Sequence, residues 1–179
     1  TGRIILALPA DTHCGSAFGL MPDSWVTKSG NVVERNPVQA VIGNHWDDVW
    51  RRIGNERKKG DRLVVIHMGD ATEGNHHGVV DIISAAEDEH VGMHVACMDR
   101  ALSLCGFDRV VDSLYYVVGT PTHVRIGAFL EEVIAEKMGA VPYREGERYT
   151  WPKIEAVLGG KRMVFTHQGA SVNSRAWLR

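Results

Sequence analysis

Cysteine is scarce and charge is balanced, and these two shortages already narrow the field. The three cysteines, Cys14, Cys97 and Cys105, are an odd number in no metal-knuckle spacing, which argues against a disulfide framework and for a reducing compartment. Twenty basic residues against 22 acidic ones leave a net charge of -2. That balance lacks the electrostatic footprint of tight nonspecific nucleic-acid binding, although nucleic acid stays open as a substrate. No apolar run approaches the ~20 residues of a membrane span, and the start carries no basic-then-apolar signal segment. The composition predicts a soluble, cytoplasmic protein with no membrane partner and leaves the oligomeric state open.

What is present suffices for a core. With 44% hydrophobic residues over 179 positions, the chain suits one domain spanning 1–179. Its final residues follow a motif without a closing turn, so the expectation is a domain lacking its C-terminal part.

Residues 62–70 organise the rest. Leu63, Val64, Val65 and Ile66, bounded by Gly60 and Gly69, read as a buried strand that delivers Asp70 to a loop rich in potential ligands, Glu73, Asn75, His76 and His77. The same design of apolar strand and polar turn recurs three times. A strand over 3–8 leads to Asp11-Thr12-His13, one over 114–118 to Gly119-Thr120-Pro121-Thr122-His123, and one over 162–166 to His167-Gln168-Gly169. An aspartate and a histidine two apart at a strand end can point at one ion, although an Asx-turn beside a surface histidine gives the same pattern.

Between these strands, Asn36-Pro37 opens a helix in N-cap and first-turn positions, and Val41, Trp46, Val49, Trp50 and Ile53 give it an apolar stripe. Ser84 with Glu87 three residues later reads as a capping box for a helix over 84–105. Another helix is expected over 126–138, closed by Gly139. Trp151 with residues 154–158, and residues 162–166, read as a two-stranded antiparallel hairpin about Gly159-Gly160. The excursion 15–36, anchored by Phe18, Leu20, Met21 and Trp25, is expected to wall the site. His90 and His94 share a helical face, but the stretch is not His-Glu-x-x-His, so structural or surface roles are expected of them. Strands alternating with helices predict an α/β fold with a mostly parallel sheet.

Taken in order, Asp11-Thr12-His13, Gly69-Asp70, the turn ending at His123 and the turn at His167 resemble the calcineurin-like metallophosphoesterase family. Its pattern is D-x-H, G-D, G-N-H-[D/E], an isolated His and G-H-x-H. The resemblance spans residues 11 to 169 and implies a four-layer α/β/β/α sandwich holding two divalent ions. Asp70 matches the bridging carboxylate, Asp11 and His13 match first-metal ligands, and His167 matches a second-metal ligand. His123 matches the catalytic histidine that protonates the leaving group or steadies the transition state, with a bridging hydroxide as nucleophile. The mixed Asp and His set suits Mn, Fe, Zn or Ni better than Mg alone.

Two departures stand out. The third-motif asparagine is absent, so either His123 becomes a ligand itself or Asn75, His76 or His77 replaces the lost amide. Asn75 is the candidate ligand, and His76 and His77 are candidate phosphate contacts. The closing G-H-x-H does not follow His167. Glu73 is expected to hold a histidine rather than a metal. The expected activity is metal-dependent phosphoester hydrolysis. Phosphodiesters such as cyclic nucleotides or nucleic-acid strands stand ahead of monoesters, because the loops are similar to those of phage and prophage nuclease-like members. The alternative is a noncatalytic metal-binding relative that acts as an interaction module.

Overall fold

The computed structural model describes residues 2–74, 81–120 and 129–167. Four strands make a parallel sheet: β1 (Ile4–Ala7), β4 (Arg62–His67), β5 (Ser113–Val117) and β6 (Thr150–Trp151), in the order β1-β4-β5-β6. β4 is central, with Val65 opposite both Ala7 of β1 and Leu114 of β5. Burial on both faces explains why its apolar run is continuous rather than alternating. The crossovers carry three helices, α1 (Pro37–Glu56), α2 (Glu87–Leu104) and α3 (Phe129–Lys137).

The helices cover one face of the sheet. There Trp50 of α1, Met98 and Ala101 of α2 and Ile134 of α3 meet Leu63, Val65, Leu114 and Tyr116. The opposite face presents Ile66 and Val117 to Ile154 and Phe165 of an antiparallel hairpin, β7 (Ile154–Leu158) and β8 (Lys161–Phe165). The described residues therefore stack as helices, parallel sheet and hairpin. Gly159 and Gly160, at φ of 56° and 76°, give the hairpin the left-handed pair that a two-residue turn requires.

Asn36 and Pro37 open α1 as expected. The Asn36 side chain accepts from Gln39 N at 2.9 Å, and Gln39 Oε1 accepts from Asn36 N at 3.1 Å. The spare amides of the same pair hold the preceding loop, Asn36 Nδ2 donating to Ala17 O at 2.6 Å and Gln39 Nε2 to Ser16 O at 3.0 Å. The capping box expected at Ser84 does not form. The helix starts at Glu87 behind Ala86, and Ser84 Oγ accepts from Ala86 N at 3.1 Å in a turn. In the acidic first turn of α2, Asp88 pairs with Lys28 and buried Glu89 accepts from Lys28 N.

The excursion 15–36 contains a hairpin, β2 (Ser24–Val26) and β3 (Val32–Glu34), that the sequence did not announce. Of its expected anchors, Leu20 and Met21 are buried, but Phe18 is 60% exposed. No described helix is long and apolar enough to cross a membrane.

Candidate metal centre

Parallel strands place all their C-terminal ends on one side of the sheet, where open α/β sheets bind ligands. The exits of β1 and β4 stay paired beyond the strands, Asp11 N donating to Gly69 O at 3.0 Å and His13 N to Asp70 O at 3.1 Å. This pairing gathers one ligand atom each from Asp11, His13 and Asp70 to within 4.8 Å of one another, a set that could hold a cation. The same three are the non-glycine residues with positive φ among the described residues, at 52°, 42° and 52°. Left-handed backbone at non-glycine positions is sparsely populated and collects where a site dictates side-chain direction.

Two side chains of the cluster, His13 and Asp70, have a support. Glu73 Oε2 lies 3.0 Å from His13 Nδ1, leaving Nε2 directed toward Asp11, whose Oδ1 is 4.0 Å away. A carboxylate behind a ligating histidine fixes its ring and raises its basicity. Asp70, nearly buried, accepts from Thr120 N at 2.6 Å on Oδ1 and from Thr120 Oγ1 at 3.0 Å on Oδ2.

His167 arrives from the end of β8 and also meets Asp70. Its Nδ1–H donates to Met68 O at 2.7 Å, so a neutral ring turns the Nε2 lone pair toward Asp70 Oδ2, 3.1 Å away, and Thr120 Oγ1, 3.1 Å away. Two acceptors facing each other at that distance suit a shared cation. The approach needs two glycines. A Cβ on Gly69 would come within 2.7 Å of Gly119 Cα and 2.8 Å of the His167 ring, and one on Gly119 within 2.3 Å of Asp70 N.

Beneath the cluster lies a buried polar network that the sequence did not suggest. Thr12 Oγ1 donates to Ala71 O at 2.9 Å and accepts from His94 Nδ1–H at 3.0 Å and His67 Nε2–H at 3.4 Å. His94 Nε2 then accepts from Tyr116 OH at 3.1 Å, and His67 Nδ1 accepts from Gly69 N at 3.4 Å. Every proton has one acceptor only if both rings are neutral, which fixes their tautomers. Burial lowers both histidines, His94 to about 3, with the neighbouring His94 and His167 pushing His67 further down. Fully buried Glu131 ties the β4 and β5 exits together, accepting from Ala71 N at 3.3 Å and Gly119 N at 2.7 Å, and burial raises it to about 7.

Of the residues expected in the site, Asp11, His13, Asp70 and His167 come together at the strand ends. Asn75, His76, His77 and His123 lie outside the described residues. Both His90 and His94 are buried, which rules out the surface placement. Thr120 was missed: it directly follows Gly119, where the family pattern has its asparagine, and only the fold shows its hydroxyl between Asp70 and His167. A cavity of about 140 Å³ adjoins the cluster, while larger ones of about 560 and 580 Å³ lie along α1 and between α2 and α3, away from it. Comparison of the chain with family models, curated proteins and solved structures finds no match in any of the three.

Proposed function

We propose that this chain is a divalent-metal-dependent phosphoester hydrolase of the calcineurin-like metallophosphoesterase type, built on a four-layer α/β/β/α sandwich. The observation that carries the proposal is the position of Asp70, one carboxylate common to the Asp11 and His13 group and to the Thr120 and His167 group. Asp11, His13 and Asp70 would hold one ion, and Asp70 and His167 a second, with Thr120 positioning Asp70. A pair of Mn, Fe, Zn or Ni ions activates water and neutralises charge on a phosphoryl group in in-line displacement.

The chain's own residues supply position. Thr120 fixes both oxygens of Asp70, Glu73 aligns His13, and Met68 O keeps His167 in one tautomer. The Thr12, His67 and His94 network and Glu131 keep the strand exits in register, so the ligand geometry is set before substrate arrives. His123, by its place in the motif order, is assigned as proton donor to the leaving oxygen.

Chelator-stripped protein assayed on bis-p-nitrophenyl phosphate and on p-nitrophenyl phosphate tests this. Manganese-dependent cleavage that Asp70→Ala abolishes is the expected result, with the diester ahead. Folded protein that binds manganese but turns over neither ester would replace the hydrolase with a metal-binding interaction module.

A further inference from the structure

The ligand cluster occupies the C-terminal pole of the parallel sheet, and the opposite pole carries an excess of positive charge. There the starts of β1, β4 and β5 lie side by side, Arg62 N donating to Arg3 O at 2.9 Å and Arg62 Nε to Val111 O at 3.0 Å. The two buried carboxylates of this pole are consumed internally, Asp61 by Arg3 at 2.6 Å and Asp112 by Arg57 at 2.8 Å. Arg62 and Arg109 meet backbone carbonyls, of Val111 and Met138, and like Lys58 and Lys59 they have no carboxylate partner among the described residues. Exposed Glu56 and Asp108 stand near these four cations, which leaves an excess that the charge of -2 over the whole chain conceals.

The lysines are presented by a fixed turn. Lys58 N donates to Asp61 Oδ2 at 2.9 Å, Asp61 N donates to Lys58 O at 3.0 Å, and Gly60 turns the chain at a φ of 91°. A Cβ on Gly2 would lie 1.6 Å from Gly60 O, so the turn sits directly against the start of β1. Lys58 and Lys59 line a cleft of about 450 Å³ there, with Arg3 and the two glycines. Beside them the turn into β5 exposes Val110 at 90% and Val111 at 43%. That turn is fixed too, Val110 N donating to Asp108 Oδ1 at 2.9 Å and Val111 N to Asp108 O at 3.1 Å. A valine so open among cations contributes nothing to this chain's own core.

We propose that this pole docks on an anionic lipid surface, with the cations against the headgroups and Val110 at the acyl boundary. Clusters of about four or more Lys and Arg are drawn to an anionic leaflet, and an apolar tip adds the second signal that attachment needs. Nucleic acid fits less well, because valines offer no face on which bases stack. The six residues of β4 also span ~20 Å, so a strand held at this pole lies far from Asp70. Lipid docking is independent of the phosphoesterase reading, and it turns the metal cluster toward the aqueous side.

Cosedimentation of the full chain with vesicles tests this. Phosphatidylcholine vesicles are compared with phosphatidylcholine containing phosphatidylserine, at about 0.05 M and about 0.5 M NaCl, concentrations that bracket the screening of surface charge. Binding is expected on the serine-containing vesicles at low salt, and at least tenfold weaker binding on phosphatidylcholine or at high salt. Lys58→Gln combined with Lys59→Gln should weaken it at least tenfold. Val110→Ser should weaken it about threefold at unchanged charge, and Val110→Trp should strengthen it. All three positions are exposed, so the urea midpoints are expected to match wild type. Equal binding to both vesicles, or a preference that the lysine pair or Val110→Ser leaves untouched, would overturn the docking surface. Binding of a fluorescent DNA duplex that the lysine pair abolishes, with no binding to vesicles, would overturn it in favour of nucleic acid.

Discussion

At the scale of single residues, the chain concentrates conformational cost at its candidate ligands. Asp11, His13 and Asp70 all sit in the left-handed region, and each is held there by strand-exit hydrogen bonds or by a side-chain partner. Thr120 links Asp70 to His167 at this scale. Its hydroxyl donates to Asp70 and reaches His167 Nε2, so Thr120→Val removes the contact while keeping the shape. Loss of a partner of this kind costs ~10–100-fold in metal affinity, and Thr120→Ser should restore most of it. Manganese titration of the two variants checks this. Asp11, His13, Asp70 and His167 were legible in the sequence because an aspartate or histidine after an apolar strand is a pattern. Thr120 was not, because a hydroxyl in a turn has no spacing of its own and becomes a candidate only when the fold brings His167 across from another sheet.

Elements explain why the loops can be so exact. α1 is both a core helix and a clamp: the Asn36 carbonyl caps the helix while its amide holds Ala17 O. Asn36→Ala is expected to cost about 1–2 kcal/mol in urea denaturation, at the upper end of a cap's worth. Asn36→Asp keeps the cap and loses the grip on the loop, so it should affect turnover more than stability. The start of α1 was readable because a cap is local chemistry. The β2 and β3 hairpin was hidden because three-residue strands with exposed Val26 and Val32 show neither alternation nor a buried run. Ser84 misled for the opposite reason. The capping-box spacing is present, but His90 Nε2 donates to Ser84 O at 2.7 Å and holds it in the turn before the helix.

For the whole molecule, the buried titratable groups set a pH dependence with a definite sign. His67 and His94 are neutral when folded and take up protons when unfolded below about pH 6.5, so each removes stability as pH falls. Glu131 acts in reverse. Raised to about 7, it stays protonated in the fold while the unfolded carboxyl ionises, so its contribution falls as pH rises from about 4.5 to 7. Two histidines against one glutamate leave metal-free protein gaining about 1.4 kcal/mol per pH unit between pH 4.5 and 6.5. Glu131→Gln should roughly double that slope in urea denaturation at stepped pH. The α/β class and a mostly parallel sheet were legible from alternating strands and helices, whereas Trp151, expected in the antiparallel hairpin, instead pairs with Val117 in the parallel strand β6. The shared position of Asp70 was only implied, since it depends on β8 coming over the far face of the sheet. The most direct measurement is therefore a manganese titration of chelator-stripped protein, followed by electron paramagnetic resonance, on wild type and Asp70→Ala. Two ions per chain with the spin coupling of a shared ligand, and loss of at least one ion in the variant, are expected. No saturable binding, or binding that Asp70→Ala leaves unchanged, would contradict a centre built on Asp70.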